Sequence, residues 1–157
     1  EIVGKYTQID EYIAIALLDL DKFKQINDTL GHQMGDKAIQ TTATIIAEEL
    51  NLDLLEKWSF ANKVVKERIS FAGRLGGDEY ILFIRGLKND EEAIALLNRI
   101  LDRLKAVKIG ELKGIRGSFG VTALKESDED IDTAYQRADA ALYTSKSSDT
   151  EKVTFNK

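Results

Sequence analysis

The stretch Arg74-Leu-Gly-Gly-Asp-Glu-Tyr80 constrains this chain more than any other. Two glycines and two acids run directly into Ile81, Leu82, Phe83 and Ile84, an apolar segment of strand length. The apolar run reads as a buried strand, and the glycines mark a hairpin tip where the backbone comes close to something. Paired carboxylates at such a tip repel one another unless a cation or a proton sits between them. A divalent metal beside a phosphate meets that need. Taken alone, the turn is an ordinary solvated hairpin; a second acidic segment far upstream changes its meaning.

That segment is Ala16-Leu-Leu-Asp-Leu-Asp-Lys-Phe-Lys24, continuing through Asn27, Gly31, His32 and Gly35 to Asp36. Ile13 to Leu18 is continuously apolar, as in a central strand covered on both faces. Asp19 and Asp21 stand at its end, and alternation puts both on one face with Leu20 on the other. Carboxylates at the ends of two strands form an oxygen-rich site suited to Mg²⁺, which takes a few carboxylates together with substrate phosphates. Without the distant hairpin, Asp19 and Asp21 read equally well as residues that simply end a strand.

At 157 residues the chain can bury a substantial core as one domain, 1–157. Its net charge of −5 argues against a broad nucleic-acid surface, which is normally basic, but leaves room for a nucleotide whose charge a metal offsets. Cysteine is absent, which removes disulfides, thiolate nucleophiles and Cys-based zinc sites and is compatible with a reducing cytosol. Neither a secretory signal nor a bilayer-length apolar stretch is present. With Glu1 in place of an initiator Met, the sequence reads as a piece of a longer multidomain chain.

The periodicities alternate. Residues 1–11 read as the tail of a helix, 13–19 as a strand and Phe23–Leu30 as a short helix. Gly31–Gly35 reads as a turn, and Asp36 opens a helix to about Leu50 with Ala38, Ile39, Ala43, Ile46 and Leu50 inward. Residues 51–70 are too apolar for a simple connection, carrying Leu52, Leu54, Leu55, Trp58, Phe60, Val64 and Val65. They read as a packed insertion, with a docking surface for a partner domain as the alternative and Trp58 the residue to test. Strands at 70–75 and 80–85 flank the acidic turn. Asn89 or Asp90 caps a helix with Ala93, Ile94, Leu97, Ile100, Leu101 and Leu104 at helical spacing. Ile115–Leu124 reads as a strand, Asp128 or Asp130 begins a helix to about Ser147, and Val153–Phe155 is a last short strand. The sum is an α+β fold, a mainly antiparallel sheet with helices packed on it.

Together the two acidic segments resemble the GGDEF family, the diguanylate cyclases that join two GTP molecules into cyclic di-GMP. The likeness rests on the run at 19–36, on Gly76-Gly77-Asp78-Glu79-Tyr80 with Tyr for the usual Phe, on Ser118-Phe-Gly-Val121, and on Ala138-Asp-Ala-Ala-Leu-Tyr143 with Lys146. It implies the ferredoxin-like palm of nucleotidyl cyclases. It implies that Asp19, Asp78 and the Leu20 backbone carbonyl hold Mg²⁺, two ions per active site, with Mn²⁺ able to replace it. Asp78 is the essential acid and Glu79 a further ligand or an activator of the attacking hydroxyl, while Asp21 lies nearby. Asn27 and Asp36 are the family positions for guanine, with His32 holding the loop over the base. On sequence alone Asp36 is an ordinary helix cap. Phosphates fall to Lys24, Lys146 and the backbone N–H groups of Lys22 and Phe23. Phe23, Leu30, Phe119 and Tyr143 read as core or pocket wall. Each copy holds one GTP, so turnover requires a homodimer, and control comes from an upstream sensory or regulatory domain. The domain is expected in the cytoplasm without membrane or nucleic-acid contact, leaving anchoring of the full-length protein open.

Three departures stand out. The family's Asp-x-Leu-Thr motif is missing from residues 1–12. Its inhibitory Arg-x-x-Asp is replaced by Glu67 and Ser70, with Arg68 adjacent, so no inhibitory site of that type is expected. Thr150 stands where a phosphate-binding Arg is usual, a loss of about 1–3 kcal/mol in GTP binding. A catalytically weak module that binds GTP or a partner as a regulatory domain is therefore the second reading. A cyclase-like CRISPR palm ranks below it, because that group lacks the Asn27, His32 and Asp36 run.

Overall fold

The computed structural model describes residues 11–51 and 70–157. Along the chain run β1 (Ile13–Leu20), α1 (Phe23–Leu30), α2 (His32–Glu49), β2 (Phe71–Gly76), β3 (Glu79–Arg85), α3 (Asp90–Lys105), β4 (Lys108–Ile109), β5 (Leu112–Lys113), β6 (Gly117–Ala123), α4 (Ile131–Lys146) and β7 (Val153–Phe155). Five strands form one sheet in the order β2-β3-β1-β6-β7, while β4 and β5 pair as a separate small hairpin. β1 is antiparallel to β3 and to β6, and β7 joins β6 in parallel. The fold is α+β, as the periodicities require. The helix tail expected at 1–11 and the insertion expected at 51–70 lie outside the described residues but for their last or first positions, as do Glu67 and Arg68.

Every residue of β1 is buried, so the strand has two inner faces and no outer one. Ala14, Ala16, Leu18 and Leu20 join the main core with Ile46 of α2 and Leu97, Ile100 and Leu104 of α3. Ile13 and Ile15 pack with Ala134 of α4, and Leu17 with Ala138 and Leu142. Parity thus decides which helix each β1 side chain meets. Asp19, an odd position, faces α4.

α4 lies directly on β6 at Gly120. A Cβ there would stand 2.2 Å from both the Ala138 carbonyl oxygen and the Leu142 nitrogen. The helix starts at Asp130, whose carboxylate accepts from the Thr133 N–H at 3.1 Å. Asp128 has a different task. Its carboxylate takes two hydrogen bonds from Arg137, at 2.6 and 3.0 Å, and Arg137 also donates to the Ala123 carbonyl of β6 at 2.8 Å. For α3 the cap is Asn89, accepting from the Glu92 N–H at 2.9 Å.

Several boundaries differ from expectation. α2 begins at His32 instead of Asp36, because Gly31 (φ 94°, ψ 159°) breaks the chain in a single residue. Gly35 therefore lies inside a helix. A Cβ on it would fall 1.8 Å from the Asn27 Oδ1, so the glycine serves close packing of α1 on α2 and not a turn. Leu96 replaces Ile94 on the inner stripe of α3, and Ala43 of α2 is only partly buried. β6 starts at Gly117 and not at Ile115, whose N–H is held by the Leu104 carbonyl at 2.8 Å after the left-handed turn at Gly114. The β4–β5 hairpin was not expected; its two-residue strands are too short to show a period.

Gly120→Ala forces backbone against backbone and is expected to cost about 3 kcal/mol, roughly 6–12 °C in Tm for a chain of this size. A thermal melt checks it, and a wild-type Tm would mean that α4 does not approach β6 this closely.

Candidate active site

The site forms where β1 runs out. Asp19 pairs in register with Glu79 of β3 on one side and Ser118 of β6 on the other. Its side chain is 8 % exposed and accepts a hydrogen bond from the Lys146 ammonium, in the last turn of α4. This contact follows from the parity of β1, since the odd face is the one that α4 covers. Lys146 is correspondingly pushed above the ordinary lysine range, chiefly by the bond to Asp19.

Asp78 arrives from the hairpin. The Leu20 N–H donates to the Asp78 carbonyl at 3.1 Å, which ties the tip of the turn to the end of β1. The two side chains then lie within hydrogen-bonding reach of one another. Partial burial, followed by the negative charge of Asp19, raises the Asp78 carboxyl above the usual carboxylate range. Two acids converging in one place are the donor set a divalent cation seeks. Among the described residues no group of three or more such ligands gathers. Asp19 and Asp78 with a neighbouring carbonyl therefore fit an ion that keeps water or phosphate in its remaining positions.

Of the two hairpin glycines, Gly77 acts through conformation. Gly77 has φ 38°, and a Cβ on either Gly76 or Gly77 would meet nothing within 4 Å. The turn also contains a bulge, since Arg74 faces Tyr80 and Gly76 faces Glu79, leaving Leu75 extra and exposed. Glu79 is exposed. Tyr80 turns the other way, into the core, where its hydroxyl donates to the Ile39 carbonyl at 3.1 Å. Burial pushes its phenol up to about 12. The ring belongs to the packing of β3 on α2, and the hydroxyl has the acceptor that burial demands.

Asp19, Asp78 and Lys146 share a cleft of about 960 Å³ with Lys22, Phe23 and Lys24. Lys22 adopts a left-handed conformation (φ 56°, ψ 31°), and α1 begins after it without a side-chain cap. The Gln25 N–H turns back to the Lys22 carbonyl at 3.0 Å, while the N–H groups of Phe23 and Lys24, both in the cleft lining, have no partner among the described residues, an arrangement that suits an anion. Lys24 is solvent-facing and 3.9 Å from Asp28. The cleft does not reach Asn27, His32 or Asp36. Those three lie at the α1–α2 junction: Asn27 half-buried against Gly35, His32 and Asp36 exposed. Asp36 is inside α2 and caps nothing. Phe119 is fully buried and Phe23 and Leu30 line the cleft, but Tyr143, expected in core or wall, is 76 % exposed on α4. At that position the helix turns its outer face to solvent.

Three participants were given no role from the sequence. Ser118 donates to Asp21 Oδ1 at 2.9 Å. The Lys152 ammonium lies 3.2 Å from Asp21 and donates to the Ser148 and Ser145 carbonyls at 2.9 and 3.2 Å, closing the end of α4. Arg116 lines the same cleft. Ser118 falls within a motif noted above, yet only strand pairing shows what it touches. Asp21 is thus bound to Ser118 and Lys152, beside the Asp19–Asp78 pair. Ser70 is engaged with the backbone of Arg85, whose N–H it accepts at 2.8 Å.

A mainly antiparallel sheet whose central strand ends on an acid, facing an acidic hairpin and an uncapped helix start, defines an α+β domain of the palm type. Residues 4–152 match the family described as diguanylate cyclase, GGDEF domain, and the chain belongs to that family. It is 30 % identical over 150 residues to diguanylate cyclase A of Treponema denticola, covering 94 % of this chain and 36 % of that protein. Against diguanylate cyclase DgcP of Pseudomonas aeruginosa it is 34 % identical over 137 residues, 85 % of this chain and 18 % of the relative. The GGDEF domain of DgcB from Caulobacter crescentus, solved in complex with c-di-GMP, superposes with a TM-score of 0.77 at 27 % identity, covering 98 % of this chain and 83 % of that one. The chain therefore spans little more than a third of the first curated relative and under a fifth of the second.

The raised Asp78 carboxyl carries a stability consequence. A group whose folded pKa exceeds its unfolded value opposes folding above that window and ceases to do so as pH falls through it. Asp78→Asn should therefore melt higher than wild type at pH 7 without added metal, with the gap closing as pH falls to the ordinary carboxylate range. Added Mg²⁺ should raise the wild-type Tm and leave the variant unmoved. Equal melting at pH 7, or an equal response to Mg²⁺, would contradict the carboxylate contact.

Proposed function

We propose that this domain is a diguanylate cyclase, condensing two GTP molecules into cyclic di-GMP with release of pyrophosphate. The observation that carries this is the meeting of Asp19 and Asp78 at the mouth of a cleft that also holds an uncapped helix start and Lys146. Family membership and the c-di-GMP bound to a related GGDEF domain support the same chemistry.

In the reaction the 3′-oxygen of one GTP bonds to the α-phosphorus of the other, and the bond from that phosphorus to the bridging oxygen of the pyrophosphate breaks. Two such steps close the ring. Positioning and charge neutralisation dominate, since little covalent assistance is required. Asp19, Asp78 and the Leu20 carbonyl would hold Mg²⁺, or Mn²⁺ in its place, which supplies Lewis acidity at the α-phosphate and offsets charge on the leaving pyrophosphate. Glu79, exposed beside the pair, is placed to help remove the proton of the attacking hydroxyl. The N–H groups of Lys22 and Phe23 receive phosphate oxygens, with Lys24 and Lys146 as neighbouring cations. Lys146 is bound to Asp19, so its ammonium serves the phosphates once Asp19 turns to a metal. Asn27 and Asp36 take the guanine edge, where an acid can accept from N1–H and the 2-amino group. That Asp36 is exposed and free of any capping duty supports this assignment.

Each copy binds one GTP, so two copies face each other during turnover, under control of a regulatory domain elsewhere in the full-length protein. Among the described residues no helix is long and apolar enough to cross a membrane. Thr150 in place of a phosphate-binding Arg favours a second reading, a regulatory module that binds GTP with little turnover.

The chain, dimerised through a fused leucine zipper, should convert GTP with Mg²⁺ to cyclic di-GMP detectable by mass, leave ATP unchanged, and lose about 100-fold or more of its rate in Asp78→Ala. A forced dimer that binds GTP without turnover would establish the regulatory reading instead. An adenylate product would overturn both.

A further inference from the structure

We infer that Arg116 binds the terminal phosphates of the nucleoside triphosphate in this cleft. The inference rests on the cyclase reading and extends its binding site to a residue outside the motifs. Arg116 immediately precedes β6, and its carbonyl accepts from the Asp21 N–H at 2.7 Å. That bond sets it beside the left-handed turn at Lys22, where the uncapped N–H groups of α1 begin. Its flanking residues fix the backbone. Ile115 is 1 % exposed, and a Cβ on Gly117 would lie 2.8 Å from Leu18. The side chain itself is exposed, lines the cleft, and makes no hydrogen bond or ion pair among the described residues.

The charges around the cleft make that free guanidinium informative. Asp19, Asp21 and Asp78 all face the space in which a polyanion must bind. Two ammonium groups of the cleft are already engaged with these acids, Lys146 with Asp19 and Lys152 with Asp21 and two helix-end carbonyls. At position 150, on the same wall, the chain offers a threonine. Among the described residues that line the cleft, Arg116 is the one guanidinium. Its planar fork can take two oxygens of one phosphate, which an ammonium cannot do. A rigid strand end supports it, as a specific contact requires.

The test is calorimetric titration of the 157-residue chain with a non-hydrolysable GTP analogue and with GMP, in Mg²⁺. Arg116→Gln should weaken the triphosphate about tenfold, the loss of a charge-assisted contact, while GMP affinity holds. Arg116→Lys should recover part of the loss. Lys113→Gln, which removes the same charge from β5 outside the cleft, should match wild type for both ligands. The melting temperature of Arg116→Gln should equal that of wild type, because the side chain makes no hydrogen bond or ion pair among the described residues. Triphosphate affinity within twofold of wild type in Arg116→Gln, or an equal loss for GMP, overturns the inference. If that variant still yields cyclic di-GMP at the wild-type KM, the cyclase reading survives and Arg116 alone is dismissed. If wild type binds neither nucleotide, both fall together.

Discussion

The double burial of β1 is the constraint from which the other elements take their places. A strand with no solvent-facing side must be hydrogen-bonded along both edges and packed on both faces, and Ile13–Leu20 is. The edges recruit β3 and β6; the faces recruit α2 with α3 on one side and α4 on the other. The strand ends where its alternation delivers a carboxylate to the α4 side, and there the core gives way to a cleft. An acid at that depth requires compensation, which the last turn of α4 supplies.

The frame was legible in the sequence because long apolar runs and helical stripes report their partners through periodicity. The run at 13–18 showed a strand covered twice, and the parity of Asp19, Leu20 and Asp21 followed from it. Periodicity says less where a single residue decides. Gly31 breaks the chain by its φ alone, and Gly35 reads as a turn until Asn27 is seen pressed against it. The β4–β5 hairpin is too short to repeat anything. At the site, Asp19 and Asp78 could be paired from two motifs, but Ser118 and Lys152 meet Asp21 only through strand register and a chain reversal. Neither device leaves a mark in linear order. Nor did spacing reveal that Asn27, His32 and Asp36 lie at the α1–α2 junction, outside the lining of the cleft.

Two aspartates show how one residue type serves opposite ends. Arg137 bonds Asp128 in two places and holds its carboxyl below the usual range, so this contact stabilises the fold above that range and weakens as acid protonates it. Asp78 has the reverse environment, a second acid and, among the described residues, no ion pair of its own, and folding strains against its charge at neutral pH. Asp128 fastens α4 to β6, and the hairpin carries the tension. Local conflict of this kind collects at working sites, while the rest of a sequence agrees with its fold.

The ammonium of Lys146 has one more implication. It stands as a tethered counter-ion to the buried carboxylate of Asp19. That counter-ion is a side chain fixed to the end of a helix, so its position is set by the backbone of α4. The charge balance of the site is thereby tied to the terminal turn of α4, next to the short link into β7, and so to how that helix is seated on β6.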